Sequence, residues 1–185
     1  HAIGGGVGLA ALQICKWKGA EVIGTASTSK HEKLREMGVS HCIDYRTQDF
    51  QQEVKSYTGG KGVDLVLDAV GGDSFLKSYK CLAPLGRLFV FGVSSIAPGK
   101  KRSFVSMFKT VFQLPKFKIF SLINRNRGVM GVNIGHLWEE REKIGQMSED
   151  ILKQVEAKRF DPSWTGPFRF WRRPLPTITS GPDKI

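Results

Sequence analysis

The chain has 185 residues, 41% of them apolar and 24% charged, with a formal net charge of +11. These proportions exclude a disordered or fibrous chain, and the length suits one buried core better than two. No run approaches the roughly eighteen uninterrupted apolar residues of a membrane-spanning helix. The cysteines, Cys15, Cys42 and Cys81, are odd in number and lack metal-ligand spacing, so neither a disulfide framework nor a zinc finger is supported. Residue 1 is a histidine that opens directly into a glycine run, and the sequence is read as a piece of a longer protein.

The charge is unevenly placed. Residues 100–127 carry eight Lys or Arg and no acid, and residues 159–185 carry five bases against two acids. The rest of the chain is balanced. A nucleic-acid binder would spread basic side chains over the fold as a continuous footprint, so no nucleic-acid partner is expected. The basic insert reads either as a solvated helical face or as a surface for an anionic membrane or an acidic partner.

From residue 1 to about 133, short β-rich runs alternate with helical patterns. Residues 8–17 read as a helix and 21–25 as a buried strand. A short helix over 30–37 ends at Gly38, a natural left-handed stop. A strand over 42–45 precedes a helix over 49–57, for which Asp49 is a plausible cap. Then come a strand over 63–68, a helix over 74–82 that ends before Pro84, and a strand over 87–92. Strands separated by helices of about ten residues imply an α/β, doubly wound parallel sheet with right-handed crossovers. A helix over 103–114, an apolar lysine-interleaved stretch over 117–123 and a last strand over 128–134 follow. Ile144, Met147, Ile151, Leu152 and Val155 recur at helical spacing within 138–158. From Pro162 the periodicity stops.

Gly4, Gly5, Gly6 and Gly8 lie between a strand stub and a helix. Such a turn brings backbone N–H groups and a helix N-terminus against a diphosphate, where a side chain would obstruct approach. Glycines also occur where a helix packs tightly on a sheet, but a strand–helix junction opening a βαβ series favours dinucleotide binding. An NAD site usually carries Asp or Glu at the end of the next strand. Here that strand ends Gly24-Thr25-Ala26-Ser27 with Lys30 beyond it. Hydroxyls and an ammonium suit a 2′-phosphate, so the cofactor expected is NADP(H), with Ser27 and Lys30 at its adenosine end. A capping box of Ser29 with Glu32 is the alternative reading of this segment.

The segments HAIGGGVGLAALQ, VIGTAS, IDY, VDLVLDAVGG and GRLFVFGVSS, in this order and spacing, resemble the quinone oxidoreductase (zeta-crystallin) group of zinc-free medium-chain dehydrogenase/reductases. The basic insert followed by NRGVMGVNIGHLW resembles the vesicle amine transport protein branch. The resemblance runs from His1 to about Pro162. It implies a Rossmann domain over 1–162, truncated at its first strand and at its last ones, with the basic insert at 100–127. It also implies an N-terminal GroES-like catalytic domain elsewhere, NADPH as hydride donor, no catalytic metal, and a homodimer in a cytoplasmic protein.

By the same resemblance, Gly5, Gly6, Val7 and Gly8 match the diphosphate loop, and Lys30 and Tyr45 border the adenosine 2′-phosphate. Phe91, Gly92 and Ser94 match the loop beside the cofactor ribose, and Asn133 and Ile134 the segment approaching the nicotinamide. Tyr45 could instead be an ordinary strand aromatic, and Phe91 a core side chain. Asp68 either orients the cofactor loop or bonds its own turn.

No Ser–His–Asp set is apparent. The expected chemistry is hydride transfer to a quinone or enone-type carbonyl, and the catalytic residues are unknown because the side chains that contact substrate are expected mostly in the GroES-like domain. Residues 163–185 depart from the family and are read as an out-of-frame, disordered tail. A non-catalytic module is the competing function. It would dock on a membrane or partner through Phe104, Phe108, Phe112, Phe117 and Phe120 among the lysines. A short-chain reductase is disfavoured, because no Tyr-x-x-x-Lys pair follows a central strand.

Overall fold

A computed structural model describes residues 1–94 and 115–161. The helix expected over 103–114, most of the basic insert, and residues 163–185, read as an out-of-frame tail, lie outside the described residues.

The described elements follow the expected alternation. Helix α1 (Gly6–Trp17) leads to β1 (Ile23–Ala26), α2 (His31–Glu36), β2 (His41–Asp44), α3 (Phe50–Tyr57), β3 (Val63–Asp68), α4 (Asp73–Lys80) and β4 (Leu82–Val90). Helix α5 (Ile119–Arg125), β5 (Gly128–Gly131) and α6 (Arg141–Glu156) complete the order, with short 3-10 turns at Thr28–Lys30, Ile134–His136 and Trp138–Glu140.

Local chemistry sets the boundaries. Asp49 caps α3 by accepting from the N–H groups of Gln51 and Gln52 at 2.9 and 3.3 Å. Gly38, at φ +101°, stops the chain after α2, where Gly38 N donates to Arg35 O and Val39 N to Leu34 O. The Ser29–Glu32 capping box does not form: α2 has no side-chain cap, and the Ser29 hydroxyl lies 3.3 Å from that of Ser27. Strand β4 starts five residues ahead of the expected position. It makes a detour at Pro84–Gly86 that shifts its register on β3 and leaves Leu85 81% exposed at φ +66°.

All pairings among the described strands are parallel. β1 pairs with β2, Ile23 to His41 through Ala26 to Asp44. β3, β4 and β5 form a separate sheet in that order, with Leu88 opposite both Val66 and Val129. The expected single sheet thus falls into two parallel halves flanked by helices, and residues 1–3 join them. Ile3 N donates to Thr25 O at 3.1 Å on one side, and the His1 amine to Leu67 O at 2.8 Å on the other. This short segment is bonded to both edges although Ala2 takes a left-handed φ of +51° and Ile3 enters a turn. The same gap holds a largely apolar cavity of about 580 Å³, lined by His1, Ile3, Ile23, Ile43, Val63 and Leu65 among others.

Three apolar clusters hold the halves. Leu9 and Leu12 of α1 pack with Ile3, Ala26, Leu34, Val39 and Cys42. Ile43, Val54 and Cys81 collect Ile23, Phe50 and Val63, so β1 and β2 meet β3 in one cluster. Tyr79, Leu82 and Leu88 pack with Val66, Val90, Phe117, Leu122 and Val129. Each fully buried side chain of this size contributes about 1.5–3 kcal/mol. The apolar face expected on α6 forms at helical spacing but stays largely uncovered among the described residues: Met147, Ile151 and Leu152 are exposed, while Ile144 and Val155 are half-buried.

Candidate functional site

Parallel strands gather their loops at one edge of a sheet, and ligands of such folds sit beyond the carboxyl ends of the strands. The expected site residues occupy those ends. The glycine loop follows residues 1–3. Ser27 follows β1, Tyr45 follows β2, Phe91, Gly92 and Ser94 follow β4, and Asn133 lies two residues past β5.

The glycines have different jobs. A Cβ on Gly8 would lie 2.6 Å from Ile3 Cα and O and 2.7 Å from Ala2 O, so Gly8 lets α1 press on residues 2–3, which form no strand despite the stub expected there. Gly24 does the same for β1, where a Cβ would stand 2.6 Å from Ile3 Cγ2. At Gly6 a Cβ would meet nothing within 4 Å. The cap residue Gly5 provides no side-chain acceptor, and Leu9 N donates to Gly5 O at 2.9 Å. The first-turn amides of Gly6, Val7 and Gly8 are those a helix leaves without intrahelical partners. Half-buried Lys30 reaches this loop: a Cβ on Gly4 would come within 2.9 Å of Lys30 Cδ and 3.4 Å of its Nζ.

Around the second strand, Tyr45 is 57% exposed with the Arg46 guanidinium 5.8 Å from its ring centroid. Asp44, buried at the end of β2, accepts from the Thr28 hydroxyl and N–H on Oδ2 and from Arg46 N on Oδ1. The Thr28 hydroxyl first, then the Arg46 N–H, holds the Asp44 carboxyl below the usual aspartate range.

At the other half-sheet, Phe91 N donates to Asp68 O at 3.2 Å and Ser94 N to Ala69 O at 2.8 Å, tying the loop after β4 to the loop after β3. Asp68 is fully buried; its carboxylate accepts from Val70 N and from the hydroxyls of Ser74 and Ser78, so it bonds both its own turn and α4. Asn133 Oδ1 accepts from Gly135 N at 3.1 Å and Ile134 is 71% exposed. Of the expected site residues, the cavity between the half-sheets touches Val7, Gly8 and Phe91.

The sequence reading passed over Thr28 and the side chain of Asp44. Both short polar groups are consistent with turn chemistry, and the signal that pairs them is the parallel register of β1 and β2, which a single sequence does not display.

Residues 6–152 match the family model described as zinc-binding dehydrogenase. The chain belongs to that family of medium-chain oxidoreductases. It is 41% identical over 162 residues to the synaptic vesicle membrane protein VAT-1 homolog of Danio rerio, covering 85% of this chain and 33% of the relative. A 2-haloacrylate reductase of Burkholderia sp is 46% identical over 96 residues, which are 51% of this chain and 29% of the relative. Among solved structures, Escherichia coli quinone oxidoreductase complexed with NADPH superposes with a TM-score of 0.67 at 28% identity, covering 87% of this chain and 45% of that one. The chain spans a third to about two-fifths of the length of the VAT-1 relatives it matches. These likenesses place it with the zinc-free, quinone oxidoreductase-like members and support the Rossmann-type fold. Among the described residues no three His, Cys, Asp or Glu side chains converge on a metal seat.

Proposed function

We propose that this chain is the cofactor-binding part of an NADPH-dependent oxidoreductase that passes hydride to a quinone or enone-type carbonyl without zinc. The observation that carries the reading is the glycine loop. It has an open flank at Gly6, uncapped first-turn amides, and the Lys30 side chain beside Gly4. Amides and a helix N-terminus favour a diphosphate. No carboxylate stands at the end of β1 to oppose a 2′-phosphate, and that of Asp44 on the neighbouring strand is engaged by Thr28 and Arg46.

The amides of Gly6, Val7 and Gly8 would bind the diphosphate, with Gly5 setting the turn. Ser27, Lys30 and Tyr45 would orient the 2′-phosphate. Phe91, Gly92 and Ser94 would flank the ribose, with Asn133 and Ile134 toward the nicotinamide. When bound, NADPH supplies the hydride; this chain holds it, and substrate contacts fall mostly to parts of the protein beyond these residues. A homodimer in a cytoplasmic setting fits this reading.

Equilibrium titration tests it. NADPH should bind more tightly than NADH, and Lys30→Glu should abolish or reverse the preference. Equal affinity for the two nucleotides in the unsubstituted chain overturns the assignment.

A second reading, docking on an anionic membrane, has its own observation. Helix α5 holds Ile119, Phe120 and Ile123 at 72, 80 and 62% exposure, next to Lys116 and Lys118. A basic segment with exposed apolar side chains suits a peripheral membrane contact. Flotation with phosphatidylserine vesicles should carry the chain upward, and a Lys116→Glu/Lys118→Glu variant should stay behind. Failure to float at low salt removes this reading and leaves the first intact.

A further inference from the structure

Where an acid at the end of β1 would meet a ribose, this chain has Ala26, and the acid stands one strand over: Ala26 lies opposite Asp44 in the parallel register. The Asp44 side chain is turned inward, 7% exposed. One oxygen accepts from both the hydroxyl and the N–H of Thr28, the latter at 3.3 Å, and the other accepts from Arg46 N at 2.9 Å. Its own N–H donates to Gln48 Oε1 at 2.8 Å, and its carbonyl accepts from Thr47 N and Gln48 N at 3.2 and 2.9 Å. A single residue therefore ties two separate turns. One is the Thr28–Lys30 turn, with Ser27 before it and Lys30 at its end. The other begins with Tyr45 and Arg46.

We propose that Asp44 is a positioning residue for coenzyme selectivity: by clamping Thr28 and Arg46 to one carboxylate, it holds the hydroxyl, ammonium and phenol groups of the two turns around one adenosine 2′-phosphate. The inference rests on the NADPH reading above. It goes further in assigning a role to an anion, which by charge alone should repel a phosphate.

That opposition makes the role testable. Asn keeps the size of Asp44 and removes its charge, but its amide nitrogen cannot accept from Thr28 or Arg46. If Asp44 acted only through its field, Asp44→Asn would strengthen NADPH binding. If it acts as a clamp, the same change weakens it.

Titrations of NADPH and NADH, paired with thermal unfolding of each variant, give the answer. Asp44→Asn should weaken NADPH by about tenfold, the scale of a lost hydrogen bond to a charged acceptor, and leave NADH within about twofold. Thr28→Val should move NADPH in the same direction, and Thr28→Ser, which keeps the hydroxyl, should retain the affinity of the parent. Asp44→Asn that binds NADPH equally or more tightly overturns the proposal, as does an equal loss of both nucleotides in a folded variant. If Asp44→Asn does not fold, the exposed Thr28 decides through its Val and Ser variants. A parent chain without preference for NADPH defeats the underlying reading as well. A parent with that preference, unchanged by these substitutions, defeats this inference alone.

Discussion

Gly8 and Gly6 sit two residues apart in one loop, yet a methyl group on each should have opposite consequences. On Gly8 it would fall 2.6 Å from Ile3 Cα and O and 2.7 Å from Ala2 O. These are backbone atoms of the segment that joins the two half-sheets, and no rotamer change moves them aside. Overpacking of this kind costs about 1–3 kcal/mol and sometimes more, and the rigid neighbours put Gly8→Ala at about 3 kcal/mol or above. For a chain of this size each kcal/mol lowers Tm by about 2–4 °C, so Gly8→Ala should melt about 6–12 °C early. The methyl on Gly6 meets open space, and replacing a helical glycine is neutral to stabilising within about 1 kcal/mol. Gly6→Ala should therefore hold its Tm while losing NADPH affinity, because that open space is where the diphosphate is proposed to lie. Far-ultraviolet circular dichroism melts read the first effect and nucleotide titration the second. A Gly8→Ala variant that melts with the parent, or a Gly6→Ala variant that melts well below it, refutes this division of labour.

Acid should destabilise the chain through Asp44 and Asp49. The Thr28 hydroxyl holds the first below its ordinary range, and the Lys77 ammonium the second. A lowered folded-state pKa means the stabilisation is complete above the unfolded value of about 3.9 and fades as pH falls through the folded value. Urea midpoints should drop as pH falls below about 4, and Asp49→Asn should flatten that slope; a parent midpoint that stays constant as acid is added would contradict it. Burial pushes the Cys81 thiol up to about 11, with Asp49 adding to the shift. At pH 8 a disulfide reagent should label Cys81 only in denaturant, and rapid labelling of the native chain would show the burial to be wrong. Asp68→Ala leaves Val70 N and the hydroxyls of Ser74 and Ser78 without their acceptor, at a cost of about 3 kcal/mol or more, measurable by urea unfolding.

Periodicity and punctuation made most elements readable before any coordinates. Val63–Asp68 is a strand at the expected residues, Asp49 caps its helix, and Gly38 takes the left-handed stop. These signals are local, carried by alternation, a short polar side chain, or a residue without Cβ. The misreadings are tertiary. Leu82 to Gly86 joins β4 because its backbone finds β3 despite a proline, and helix propensity up to Leu82 gave no hint of that. Ser29 carries the residue type of a cap but turns its hydroxyl toward Ser27. The Asp44–Thr28 contact needs two strands in register, which a single sequence does not display. The glycine loop was legible as a loop, and the separate tasks of Gly6 and Gly8 emerged only with the position of Ile3.

The proposed anion seat can be tested without nicotinamide or substrate. Adenosine 2′,5′-bisphosphate and adenosine 5′-monophosphate differ by one phosphate, the group assigned to Ser27, Lys30 and Tyr45. Isothermal calorimetry on the 185-residue chain should give binding of the bisphosphate at least about tenfold tighter than that of the monophosphate, the scale of one charge-assisted contact. Matching affinities, or no heat from either nucleotide, would contradict it.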